Sequence, residues 1–284
     1  MGVNNVSRLI VSCGFISTTS LAAQQPRPPE SRPEPAPIQD NSFLIEEAYN
    51  QERGVVQHIS TFVHSTKGSD WTYAFTQEWP FSSQTHQLSY TIPVGRSDDG
   101  STRGAGLGDI ALNYRYQIGG GEARFAIAPR ASVLLPTGAS RRALGSGGTG
   151  FQVNLPFSIE LPARLVAHTN AGATYTPRTR DTFGNSAATR SYAMGQSVIW
   201  LFHPKLNLML ESIWTTAWEV TGPEQTERST ELLLSPGVRG AIDFASGLQV
   251  VPGIAFPFGI GNSRGERTVF MYLSFEHPFG RRSQ

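Results

Sequence analysis

The sequence predicts an all-β fold: a transmembrane, antiparallel, up-and-down β-barrel of about twelve strands, with short periplasmic turns and longer external loops. Two observations predict it. Apolar and polar residues alternate through segments whose length suits a tilted strand that crosses a bilayer. The connections between these segments alternate between tight turns and longer polar loops, which is the arrangement found in outer-membrane barrels.

The alternation is clearest in two segments, Ile110–Ile118 and Gly150–Leu161, where large apolar residues share one parity. Successive side chains of a strand point to opposite faces, so each segment has one apolar face and one polar face. The candidate strands are Val55–His64, Trp71–Phe81, His86–Gly95, Ile110–Ile118, Arg124–Leu135, Gly150–Leu161, Arg164–Tyr175, Ser191–Phe202, Leu206–Glu219, Thr230–Ile242, Leu248–Phe258 and Thr268–Phe279.

A soluble β-sandwich would also alternate, but its outward faces should be charged. The polar faces here are rich in Gly, Ala, Ser, Thr, Asn and Gln and carry charges of both signs, which favours a wet lumen. Aromatic residues near strand ends, such as Trp71, Trp79, Trp200 and the last-strand Phe279, suit the two membrane–water boundaries.

The chain divides into five predicted parts: a signal peptide (1–23), a flexible proline-rich linker (24–40), an N-terminal periplasmic segment (41–54), the barrel (55–279) and a C-terminal tail (280–284). Arg8 followed by an apolar stretch that ends in small residues indicates export. The linker is too poor in apolar residues to fold. Ser42–Gln51 is compatible with a short helix, on which Glu46 and Glu47 would form a solvated face.

Composition excludes several classes of protein. The 284 residues carry 23 Lys+Arg and 22 Asp+Glu, a formal net charge of +1, which gives no argument for nucleic-acid binding. No apolar run long enough for a transmembrane helix follows the N-terminus. The single cysteine, Cys13, lies in the signal peptide, so we expect no disulfide. The six histidines show no metal-ligand spacing, and neither a metal nor a cofactor is predicted.

Three glycine-rich stretches look like motifs. Gly145–Gly150 formally matches a dinucleotide-binding pattern, but it precedes a strand and has no acidic partner downstream. Gly104–Asp109 and Leu135–Gly138 lie at strand ends, where glycine permits the backbone that a barrel rim needs. We therefore predict a protein that is not an enzyme. A membrane-embedded hydrolase is the weaker alternative, because it would need a Ser–His–acid set near one rim.

Charged side chains on the polar faces are the candidate pore-lining residues. By parity, Arg130, His168 and Glu211 lie near mid-height, and Arg115, Arg124, Glu160, Arg239 and Glu276 lie towards the periplasmic turns. Two interpretations stay open: a constriction that selects solutes by charge and size, or a paired network that stiffens or closes a narrow barrel. The mixed sign argues against a simple anion or cation filter.

The stretch Gly106–Tyr116 (GLGDIALNYRY), followed by a strand ending in Leu134–Gly138 and a glycine-rich loop, resembles the bacterial outer-membrane proteins named for the meta pathway (MetA-pathway) of phenol degradation. The resemblance extends from about Asn41 to Phe279. It implies an outer-membrane barrel that passes small, often hydrophobic or aromatic solutes, and it brings no catalytic residues. The family name reflects the genomic setting of some members, so a phenolic solute does not follow from it.

We therefore expect a passive, porin-like channel in the bacterial outer membrane. Its partners would be outer-membrane lipid, a small-molecule solute and, during biogenesis, the barrel-assembly machinery. The alternative is a closed barrel with a structural or docking role, whose N-terminal arm binds a partner in the envelope.

Overall fold

A computed structural model of the chain describes residues 42–98, 103–120, 123–244 and 248–278. The predicted signal peptide, linker and C-terminal tail, together with Phe279, lie outside the described residues. The described residues form a closed barrel of 12 antiparallel strands. No helix among them is long and apolar enough to cross a membrane.

The strands follow the chain in order, and four of them are interrupted. Their bounds are β1 Val55–Ser65, β2 Trp71–Phe81, β3 Ser83–Asp98, β4 in three pieces (Arg103–Leu107, Ile110–Tyr116, Ile118–Gly119), β5 in two (Phe125–Ile127, Arg130–Leu135), β6 Gly150–Leu161, β7 Leu165–Arg180, β8 Ser186–His203, β9 Leu206–Gly222, β10 in two (Gln225–Gly240, Ile242–Asp243), β11 in two (Gln249–Ala255, Phe258–Gly259) and β12 Thr268–Pro278.

The first and last strands close the barrel. β1 pairs with β12 along its whole length, from Val55 opposite Pro278 to Ser65 opposite Thr268. Each strand therefore has hydrogen-bonded neighbours on both sides, which removes the free edges that an open sheet exposes.

Side-chain exposure confirms the predicted two-faced strands. In β4, Leu112 and Tyr114 are 48% and 40% exposed, whereas Asn113 and Arg115, which alternate with them, are 8% and 3% exposed. The same parity leaves an outer surface of large apolar residues around the barrel and turns the polar residues inward. Such an apolar outer surface is what lipid requires of a membrane-spanning barrel.

The two ends of the barrel differ. The turn end, which includes Val55 and Pro278, is made of tight connections such as the single residue Ser82 between β2 and β3. At the loop end, three of the connections are shorter than predicted. β3 and the first piece of β4 pair as far as Asp98 and Arg103. β7 to β10 extend beyond their predicted ends because their hydrogen-bonded pairing continues, so that only residues 223–224 separate β9 from β10.

The glycine motifs build the loop-end rim, as the sequence suggested. The carboxylate of Asp109 accepts hydrogen bonds from the backbone N–H of Gly138 (2.9 Å) and from the N–H (2.7 Å) and hydroxyl (2.6 Å) of Ser146. A Cβ at Gly138 would lie 2.3 Å from the carbonyl oxygen of Leu144. The connection between β5 and β6 is thereby held against the break between the first and second pieces of β4.

Candidate functional site: a segment inside the lumen

Ser42–Gln51, here called the inner segment, lies inside the barrel. The predicted short helix is absent, because the segment has no regular secondary structure. Its backbone N–H groups donate to side chains of the barrel wall instead of to carbonyls of a helix. The solvated face expected for Glu46 and Glu47 is also wrong, since Glu47 is buried and Glu46 pairs with the wall.

The inner segment follows the wall from strand to strand. Its backbone amides meet acceptors on β9, β7 and β6, then Gln117 within β4, and finally β3. The bonds are Leu44 N–H and Ile45 N–H to Glu211 Oε1 (2.9 and 3.2 Å), Glu46 N–H to Asn170 Oδ1 (2.8 Å), Ala48 N–H to Ser158 Oγ (2.7 Å), Asn50 N–H to Gln117 Oε1 (2.6 Å) and Gln51 N–H to Gln87 Oε1 (2.7 Å). Side chains of the lumen therefore satisfy the polar backbone of the segment, as burial requires.

Inward-facing glycines make room for the apolar side chains of the inner segment. A Cβ at Gly253 would lie 2.4 Å from Phe43 Cζ, and one at Gly237 would lie 2.8 Å from Phe43 Cε2. A Cβ at Gly195 would lie 2.2 Å from Ile45 Cδ1. Glycine in a strand interior weakens the strand and often marks the close approach of another chain. The barrel wall is therefore shaped to fit the inner segment.

An apolar cluster inside the lumen surrounds Phe43. The ring of Phe43 lies 5.4 Å from that of Phe270 and 5.3 Å from that of Tyr272, between centroids. Ile199 on β8 and Met209 on β9 belong to the same buried cluster. The expectation of a wet lumen is wrong here, because the inner segment covers this part of the wall and removes it from water.

Arg115 fixes the second half of the inner segment. Its guanidinium donates to Asn50 Oδ1 (2.7 Å), to the Glu47 carbonyl (3.2 Å) and to the Tyr49 carbonyl (2.7 Å). It also lies 3.7 Å from the buried carboxylate of Glu78. Five donors in a fixed fork suit an arginine to this task, since one side chain can hold several acceptors at once.

Arg130 holds the first half of the inner segment. Its Nε and a terminal nitrogen lie 3.0 and 2.7 Å from the two carboxylate oxygens of Glu46, which makes a bidentate ion pair. Asn113, Ser132 and Gln152 accept hydrogen bonds from its remaining N–H groups. Arg130 and Arg115 are thus two of the predicted pore-lining residues that the inner segment contacts directly.

The other predicted residues fall into two groups. Glu211 binds the inner segment, His168 is buried against Ser158, Arg239 is buried, and Glu276 is half-buried opposite Gln57. Arg124 and Glu160 are exposed at the turn end, where the Glu160 N–H donates to the Arg124 carbonyl (2.9 Å). Six of the eight are therefore buried or half-buried within the barrel around the inner segment, whereas Arg124 and Glu160 are exposed.

The turn-end half of the lumen is filled. Gln57, Gln87, Asn207 and Ser158 face inward, yet they are 1%, 2%, 0% and 0% exposed. An aqueous pore at this level would leave such side chains exposed to water. On the loop-end side of the inner segment, two cavities of about 380 and 200 Å³ remain, and Leu44, Ile45 and Glu46 line both.

Neither a hydrolase site nor a metal site emerges in the described part of the chain. Ser158 Oγ lies 2.7 Å from His168 Nδ1, but Ser158 is fully buried and also accepts the Ala48 N–H. Gly261–Gly265 matches the Gly-x-Ser-x-Gly motif of serine hydrolases. Its Ser263 is buried and accepts a hydrogen bond from the Leu232 N–H, so it is not an exposed nucleophile. No group of three metal-ligating side chains occurs among the described residues.

The Tyr49 side chain of the inner segment is uncharged. Burial raises the pKa of the Tyr49 phenol to about 12, and the negative charges of Glu160 and Glu47 add to this effect. The phenol is therefore neutral at physiological pH, and a neutral phenol costs less to bury than a phenolate.

Sequence reasoning missed the inner segment as part of the site. Its wall partners, such as Asn170, Ser158 and Gln87, are uncharged, so a search for charged side chains on the polar faces does not find them. One signal was present in the sequence: Gly195, Gly237 and Gly253 all fall on the inward parity of their strands. Inward glycines on three strands indicate that something approaches the wall closely.

The sequence matches no protein-family model and no curated protein sequence. Solved structures do match the fold. An outer-membrane channel from Pseudomonas putida F1 superposes with a TM-score of 0.60 over 84% of this chain and 99% of that chain, at 13% identity. The NanC porin gives a TM-score of 0.53 over 77% of this chain and 98% of that chain, at 8% identity. The protein thus has the fold of outer-membrane porin and channel barrels.

Proposed function

We propose that this protein is a channel of the bacterial outer membrane that passes small solutes and is closed by its own inner segment. One observation carries the proposal: the lumen holds a segment that is bound through its backbone to side chains of the wall. Those contacts are hydrogen bonds, two arginine clusters and an apolar recess, none of them covalent. A segment held in this way can leave and return without a change in the strand pairing of the wall.

The loop-end cavities support small solutes as the cargo. The lining of the larger one includes the apolar side chains of Phe43, Ile59 and Tyr272 and polar side chains such as Thr76, Glu78 and Asn113. A concave site that offers both apolar surface and polar groups can hold a small organic molecule. This agrees with the hydrophobic or aromatic solutes that the resemblance to the meta-pathway proteins implies.

Location and partners follow from the same proposal. The apolar outer surface would contact outer-membrane lipid, the signal peptide would direct export, and the barrel-assembly machinery would insert the barrel. The rival proposal is a permanently closed barrel that acts in docking. The filled turn-end half of the lumen favours that alternative, although Ser42–Gln51 binds its own barrel and is not available as a docking arm.

Conductance in planar bilayers separates the two. We expect the purified protein to pass little current, and a variant with Ser42–Tyr49 replaced by glycine and serine to pass several-fold more. The replacement removes the Phe43 and Ile45 side chains and the Glu46 carboxylate while the barrel stays intact. A glycine–serine replacement of the five loop residues 181–185 is the control and should not raise the current. Absence of current through both proteins would support the closed, docking barrel instead.

A further inference from the structure

The guanidinium of Arg130 is oriented by the barrel wall. It donates to Asn113 Oδ1 on β4 (2.9 Å), to Ser132 Oγ on β5 and to Gln152 Oε1 on β6 (2.8 Å). All three acceptors are uncharged and none belongs to the inner segment. The orientation of the guanidinium therefore does not depend on the inner segment.

The remaining edge of the Arg130 fork holds the Glu46 carboxylate. Nε donates to Oε2 at 3.0 Å, and a terminal nitrogen lies 2.7 Å from Oε1. This two-point geometry is the one that arginine offers to any carboxylate. The Glu46 side chain is 33% exposed, against 14% for that of Arg130, so the anion of this pair is the more accessible partner.

Arg130 also lines both loop-end cavities, together with Glu46 and Gln152. The larger cavity, of about 380 Å³, has Phe43, Ile59 and Tyr272 on its apolar side. A molecule there could place an apolar body against these side chains and an anionic group at the Arg130 fork.

We propose that the Arg130 fork is a binding site for the carboxylate of a small organic acid with an apolar, aromatic or aliphatic body, and that Glu46 is its internal competitor. A solute carboxylate that takes the fork displaces Glu46 and removes one of the contacts that hold the inner segment in the lumen. The role of the site in transport rests on the proposed channel function, but its binding chemistry does not.

Calorimetric titration of the detergent-purified full chain with benzoate, and with the uncharged benzyl alcohol, tests the site. Glu46→Gln removes the competing charge, so benzoate should bind about tenfold more tightly, since charge-assisted bidentate pairs are among the strongest hydrogen bonds. Benzyl alcohol should bind Glu46→Gln and the unaltered chain alike. Glu227→Gln and Arg141→Gln make the same charge changes at exposed positions and should leave benzoate affinity unchanged.

Two variants of Arg130 complete the test. Arg130→Gln should lose benzoate binding, and Arg130→Lys, which keeps the charge but not the fork, should weaken it severalfold relative to the unaltered chain. The shift in gel mobility on heating shows whether each variant is folded. If Arg130→Gln does not fold, the benzoate affinities of Arg130→Lys and Glu46→Gln test the site. Unchanged benzoate affinity in both of those variants would overturn the proposal.

The binding result is independent of conduction. If the variant with Ser42–Tyr49 replaced by glycine and serine carries no current while Glu46→Gln still tightens benzoate binding, the channel proposal fails and the carboxylate site stands. If that variant conducts but benzoate affinity does not change in the Glu46 and Arg130 variants, the channel stands and the carboxylate site fails.

Discussion

Replacing Gly253 with leucine is expected to expel Phe43 from its recess and release the first half of the inner segment. Even a Cβ at this position would lie 2.4 Å from Phe43 Cζ and 2.6 Å from its Cε1. Overpacking of this kind costs about 1–3 kcal/mol. The flanking wall is fixed by strand pairing to Arg239 and Tyr272, so the inner segment is the part that yields.

Thiol labelling measures that release. With Ser42→Cys as a probe, the 3% exposed side chain should react slowly with a maleimide in the unaltered barrel. Gly253→Leu should raise the labelling rate about tenfold, the factor that corresponds to 1.4 kcal/mol. Gly172→Leu is the matched control, because a Cβ there would meet only Asn154 and Val153 at 3.1–3.2 Å. Equal labelling rates in the two leucine variants would contradict the fitted recess.

Replacing Arg115 with alanine should destabilise the folded barrel by about 3–5 kcal/mol, the usual cost of breaking a buried charged pair. The change leaves the carbonyls of Glu47 and Tyr49 and the side chain of Asn50 without their donor. It also removes the cation beside the buried Glu78 carboxylate. Urea unfolding of the barrel in lipid vesicles, followed by tryptophan fluorescence, measures the loss.

Arg124→Ala removes the same charge from an exposed side chain at the turn end and should change the stability by less than about 0.5 kcal/mol. Arg115→Lys should fall between the two, because an ammonium keeps the charge near Glu78 but cannot reach three separate acceptors. A loss below 1 kcal/mol for Arg115→Ala would show that Arg115 does not anchor the inner segment.

The barrel itself was predictable because each strand carries its own signal. Lipid outside and polar groups inside impose a two-residue period, and β4 shows it within a few residues, from Leu112 to Arg115. The same parity correctly turned Arg115, Arg130 and Glu211 inward. These predictions needed only local pattern and the rule that adjacent side chains face opposite ways.

The inner segment was not predictable in the same way. Ser42–Gln51 has no regular alternation of apolar and polar residues, because its residues contact several different strands of the wall. Its partners are remote in sequence: Leu44 and Glu211 are 167 positions apart, and Ala48 and Ser158 are 110 apart. Helix compatibility was a local inference, and long-range hydrogen bonds to the lumen outweighed it. In the strands of the wall, the inward glycines are the sequence feature that indicates the presence of the inner segment.

The most direct test of the central claim is whether a disulfide forms between the inner segment and the wall in outer membranes. Ser42 Oγ and Ser197 Oγ lie 2.9 Å apart, so cysteines at both positions need to close by only about 1 Å to reach bonding distance. We expect near-complete disulfide formation for Ser42→Cys with Ser197→Cys. Little should form for Ser42→Cys with Ser158→Cys, where the wall position lies two strands further round, roughly 10 Å away. Free thiols in the first pair, or equal crosslinking in both pairs, would show that the inner segment does not occupy this place in the lumen.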